Sequence, residues 1–180
     1  MRKIPVVVLA AALVVPFGAI ASRAGAAGGT TCQTIKGSAT FKPALPKLGV
    51  STKVLSSVSV ANGTFGDCVG GGVTAGTVKL ASKFSKPGNC ATLATGGSAN
   101  PTKGTETITW NTKQTSTVAL TLTGVNGQPT QAKVTGTVAA GLFKGAKQSG
   151  TVAYVIPKGG CTAKALSIVA VRQVTLQIIR

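Results

Sequence analysis

Histidine is absent from this 180-residue chain, and it carries only two acids, Asp67 and Glu106. Without imidazole there is no Ser-His-Asp or Cys-His nucleophile and no histidine-ligated metal. No serine is followed by lysine three positions on, and no G-x-S-x-G occurs, which removes further hydrolase signatures. Two isolated acids do not make a calcium site either, so neither metal nor cofactor is expected. Aromatics are scarce: past residue 26 they are Phe41, Phe65, Phe84, Trp110, Phe143 and Tyr154. These cannot build the two aromatic girdles of a membrane barrel.

The beginning of the chain is a targeting segment by its layout. Arg2 and Lys3 precede an apolar stretch from Ile4 to Ile20, and small residues at Ala24, Gly25 and Ala26 follow. That is the pattern of a secretory signal peptide, with cleavage expected after Ala26. Its uninterrupted apolar core, Val6 to Val15, is shorter than the roughly 20 residues a membrane-spanning helix needs. Residues 1–26 are therefore expected to be the signal peptide and residues 27–180 a single secreted β domain. Loss of Arg2, Lys3 and Arg23 takes the formal charge from +17 to +14, set by fourteen lysines and two arginines against Asp67 and Glu106.

Cys32, Cys68, Cys90 and Cys161 all lie in the exported part. An even count in an oxidising compartment reads as two disulfides, whereas zinc binding would want closer pairs. Three pairings are possible, and the one expected is Cys68 with Cys90, closing a local loop, and Cys32 with Cys161, tying the domain ends.

Alternation of apolar and polar residues recurs in "TETITW", "TVALTLTG", "AKVTGTVA", "TVAYVI" and "LSIVAVRQVTLQII". Val118, Leu120 and Leu122 share one face while Thr117, Thr121 and Thr123 share the other, the signature of strands. Turn signals separate the runs: Asn62-Gly63, Gly70-Gly71-Gly72, Pro87-Gly88, Asn126-Gly127 and Gly159-Gly160. The prediction is an all-β fold, an antiparallel β-barrel or β-sandwich of about eight to ten strands. In "GLFKGAKQSG" the chain passes between two strands, with Phe143 expected to pack across one end of the core and Gly141 and Gly145 allowing the bends.

The order of an early cysteine, two central ones, "TETITW", the element Gly136, Val138, Gly141, Phe143, Gly145 and a late "GGC" resembles a group of small exported actinobacterial β-rich proteins. The resemblance implies a fold, and it carries no catalytic residue.

Function is weighed on the few groups that remain. A glycan hydrolase using two acids would have to use Asp67 and Glu106. Glu106 shares strand parity with Ile108 and Trp110 and so can face the apolar side; the plainer expectation puts it at a strand rim beside a lysine, with Asp67 capping a turn. Trp110 is expected in the core or on the floor of a ligand pocket. Lys79, Lys83 and Lys86, with Lys144 and Lys147, are the closest lysine groups and the candidate contacts to an anionic envelope polymer or membrane surface. Sequence-specific nucleic-acid recognition is not expected with arginine only at Arg172 and Arg180 past residue 26. The expected protein is a monomer or weak oligomer without enzymatic activity. A barrel carrying a small apolar ligand is the alternative.

Overall fold

The computed structural model describes residues 28–90, 93, 100–125 and 128–180. Residues 1–26, expected to be a signal peptide, and Asn126-Gly127, expected to form a turn, lie outside the described residues. Eight strands follow one another: β1 (Thr30–Leu45), β2 (Ser57–Val69), β3 (Gly76–Phe84), β4 (Thr102–Trp110), β5 (Thr115–Val125), β6 (Gln128–Gly141), β7 (Lys147–Val155) and β8 (Leu166–Ile179). Each pairs antiparallel with its sequence neighbour, and β8 returns to pair with β1, so the sheet is a closed barrel. Closure leaves no unpaired edge. The sandwich alternative is thereby excluded, and the run Gln177 to Ile179 belongs to the closing strand.

Period-two patterning sets the two faces of the wall. In β4, Thr102, Glu106, Ile108 and Trp110 are buried while Lys103, Thr105, Thr107 and Thr109 are exposed. On β5, Val118 and Leu120 are buried as their parity predicts. The outer surface is thus mostly threonine, serine and lysine, and the inner one aliphatic and aromatic.

Asn62-Gly63 departs from its expected role. The dipeptide forms no hairpin turn; β2 runs straight through it, and the pairing with β3 slips between Val60 and Gly63. Glycine is required there by packing, because a Cβ on Gly63 would drive into the Val78 side chain. The extra residue is a β-bulge, which bends a strand to follow a closed wall.

The two barrel ends differ. At one end, Trp110, Phe65 and Phe143 fill the interior: Phe143 meets Trp110 edge-on at 5.7 Å, and Phe65 stacks on it at 6.3 Å. The "LFKG" turn carries Phe143 inward at φ 64°, between Gly141 at φ 82° and Gly145 at φ 86°. A bulky residue in the left-handed region is strained, and here full burial of its ring against Trp110 offsets the cost. Trp110 Nε1 donates to Ser116 Oγ at 2.8 Å, and Ser116 Oγ donates to the Leu142 carbonyl at 2.6 Å, which pins the turn to the indole. We call this the plugged end.

The disulfides correct the expected pairing: the bonds are Cys32–Cys68 and Cys90–Cys161. Cys32 and Cys68 stand directly opposite one another in the β1–β2 ladder at the plugged end. Cys90 and Cys161 lie in the connections 85–101 and 156–165 at the other end of the barrel. Strand register therefore overrode the loop-length preference.

Candidate ligand cavity and basic rim

Beyond Phe65 and Trp110 a second buried cluster, with Phe41 stacked on Phe84 and with Leu45 and Leu166, lines the interior without filling it. An eight-stranded barrel has room either for packed side chains or for one small ligand. Here an apolar cavity of about 120 Å³ occupies the end opposite the plug, walled by Phe41, Val58, Phe84, Leu122, Tyr154 and Val169 among others. A second chamber of about 60 Å³ lies deeper, and Val60, Leu80, Leu122, Val152 and Val171 line both. Together they are on the scale of the engineered apolar cavity of about 150 Å³ that accepts benzene.

Polar groups in this interior are few and placed at two depths. Glu106 and Gln148 line the inner chamber. Gln148 Nε2 donates to Glu106 Oε2 at 2.6 Å, with the two residues 7 % and 2 % exposed. Desolvation pushes the Glu106 carboxyl up from 4.5 to about 7, and the Gln148 hydrogen bond opposes this only in part. Gln148 Oε1 is buried with no hydrogen-bond partner. Nearer the cavity end, Thr102 Oγ1 is also buried and unpartnered, while Asn100, in the same wall, bonds the backbone of Lys86 through both its amide atoms. Burial likewise raises the Tyr154 phenol to about 12, and its hydroxyl donates to the Leu93 carbonyl at 3.3 Å.

Several expectations change on this geometry. Glu106 is not at a rim beside a lysine; parity turns it inward, and its partner is Gln148. Asp67 does not cap a turn but sits exposed near the end of β2 at φ 51°, accepting a hydrogen bond from Thr34 Oγ1 at 2.9 Å. The wall thus separates the two carboxylates, one outside at the plugged end and one within, so the paired-acid arrangement is not assembled. Trp110 takes the first of its two expected places: it is 1 % exposed in the core of the plug, and it lines neither chamber. Among the described residues no cluster of metal-ligating side chains occurs.

The five candidate lysines are all exposed but do not share a face. Lys83 and Lys86 lie toward the cavity end and Lys79 on the outer face of β3, whereas Lys144 and Lys147 lie at the plugged end, with β7 four places from β3 in the eight-stranded ring. Register builds a different group. Lys42 pairs with Ser57, Ser57 with Lys83, and Lys83 with Lys103, so three lysines stand in one outward row over four strands. Like charges set directly opposite are unfavourable, and no carboxylate side chain reaches this end. Lys47, Lys53, Lys86, Lys158 and Lys164 in the adjoining connections extend the positive rim. Leu48, Val50, Val54, Val155 and Ile168 stand exposed among them.

Gln148 and the row containing Lys42 and Lys103 escaped sequence reading. Gln148 shares parity with Val152 and Tyr154, a signal sufficient to turn it inward; the lysine row needs the cross-strand register. Neither family models nor curated proteins nor solved structures yield a match to the chain, so the site is interpreted from its geometry.

Proposed function

We propose that this is a secreted, non-catalytic binding barrel that takes a small apolar ligand into its interior. The carrying observation is the pair of apolar chambers inside the barrel: protein interiors seldom leave such space, and concave apolar sites with a few polar groups are where small molecules bind. Two disulfides support an extracellular setting. Binding of p-xylene, followed through the methyl resonances of Leu80, Leu122 and Val60, tests the reading. Val152→Phe places a ring in the wall common to both chambers and is expected to weaken p-xylene binding at least tenfold while leaving the melting temperature unchanged or higher. Equal binding by both proteins, or no uptake of p-xylene or of its polar analogues by the unaltered one, would sink the carrier reading.

The basic rim favours a second reading of the same end: association with an anionic lipid surface. Exposed aliphatics interleaved with lysines suit a bilayer interface, where each basic residue near the surface contributes about 1 kcal/mol. Co-sedimentation is expected with phosphatidylglycerol-containing vesicles and not with phosphatidylcholine alone, and to be lost in high salt as screening shortens. The double change Lys83→Glu and Lys86→Glu is expected to reduce retention about tenfold or more, and Lys144→Glu with Lys147→Glu to leave it nearly intact. If both pairs act equally, charge acts without regard to the cavity end and the oriented version fails.

A further inference from the structure

Gln148 is the feature of the interior that the apolar walls do not explain. An amide in a small barrel has no reason to face inward unless its polar atoms are met, since a buried unsatisfied acceptor carries its whole desolvation penalty. Only half of this one is met. Its Nε2 is used by Glu106, while its Oε1, fully buried, accepts nothing. Both residues wall the inner chamber, whose remaining lining is aliphatic or aromatic apart from Lys36 and two glycines.

From this we infer that the cavity selects a small apolar molecule bearing a hydrogen-bond donor, a phenol or an alcohol, at the end that enters first, with Gln148 Oε1 as its acceptor. The inference rests on the carrier reading and sharpens it. The chamber shares the Val60, Leu80, Leu122 and Val152 walls with the larger one, so a ligand that reaches Gln148 keeps its apolar body on the side of the outer chamber. Glu106 holds the amide in place, which makes it a positioning residue. The Thr102 hydroxyl, unpartnered at the shallower level, offers a second polar contact to a ligand with a group at its trailing end. A resident water on Gln148 is the competing occupant, since the chamber has ample room for one.

Three probes of nearly one shape separate these possibilities: p-cresol, which donates; 4-methylanisole, which only accepts; and p-xylene, which does neither. Affinities are measured by calorimetry or ligand-observed resonance on the unaltered protein and on Gln148→Met. The unaltered protein is expected to bind p-cresol at least tenfold more tightly than 4-methylanisole, a comparison that needs no variant. In Gln148→Met the ratio of p-xylene to p-cresol dissociation constants is expected to fall at least tenfold, by loss of cresol affinity rather than by general weakening. Uptake of p-xylene with no preference for the donor, and a ratio unchanged by the substitution, would overturn the inference while leaving the carrier reading intact; a permanently bound water gives that result. Failure of all three probes to bind would overturn both.

Discussion

Reducing both disulfides is expected to remove about 8 kcal/mol of folding stability. The bonds close segments with sequence separations of 36 and 71 residues. On the loop-entropy model these contribute about 3.8 and 4.4 kcal/mol at 25 °C. The two loops follow one another in sequence without overlapping, so their effects on the unfolded chain add to a first approximation. A domain is typically stable by about 5–15 kcal/mol, and the reduced protein therefore falls close to the point of unfolding at 37 °C. Thermal melts by circular dichroism with and without reductant should differ by about 15–30 °C, taking 2–4 °C per kcal/mol for a domain of this size. The separate variants Cys32→Ala with Cys68→Ala and Cys90→Ala with Cys161→Ala should each show about half the effect. A difference below about 5 °C on full reduction would mean that the ladder alone determines the fold.

Folding stability is also expected to fall as pH rises from 4.5 to 7. Glu106 is protonated more readily in the folded protein than in the unfolded chain, its carboxyl being pushed from 4.5 to about 7 by burial. Between those values the native state holds the extra proton, so raising the pH favours unfolding. The full contribution is present below pH 4.5, declines through the window and is gone above about 7. The shift corresponds to about 3 kcal/mol at 1.36 kcal/mol per unit. Glu106→Gln keeps the size and the hydrogen-bonding capacity of the group without a charge to bury. Urea denaturation at pH 4 and pH 8 should show the loss in the unaltered protein and its absence in the variant, which becomes the more stable of the two at pH 8. Equal pH dependence in both would show that some other group titrates.

Much of the wall was legible because alternation is a local signal. Val118, Leu120 and Leu122 face inward as their spacing requires, and "GLFKGAKQSG" delivers Phe143 to one end as expected. What depended on which strand lies beside which was not legible. Cys32 bonds Cys68 because register sets them face to face, and nothing in the spacing of the cysteines announces it. The same holds for Lys83 and Lys103, far apart in sequence and adjacent on the wall. Asn62-Gly63 shows the limit in another form: a dipeptide that usually turns the chain here serves a bulge, since the glycine lies under Val78 and leaves no room for a side chain. Glu106 was legible by parity and obscured by the ordinary habit of carboxylates to stay wet.

The closing of β8 onto β1 has a bearing on how the protein comes to exist at all. Thr30 pairs with Ile178, so the first strand waits for the last before its outer edge is satisfied. A sheet not yet closed has two bare margins and an apolar inner surface that water can reach. Contacts between residues this far apart in sequence form late and slowly, which leaves an interval in which neighbouring copies can add to those margins. The outward threonines and lysines keep the finished cylinder apart from its neighbours, and along the first strand the lysines at 36 and 42 are already in place to do so while the ring is still open.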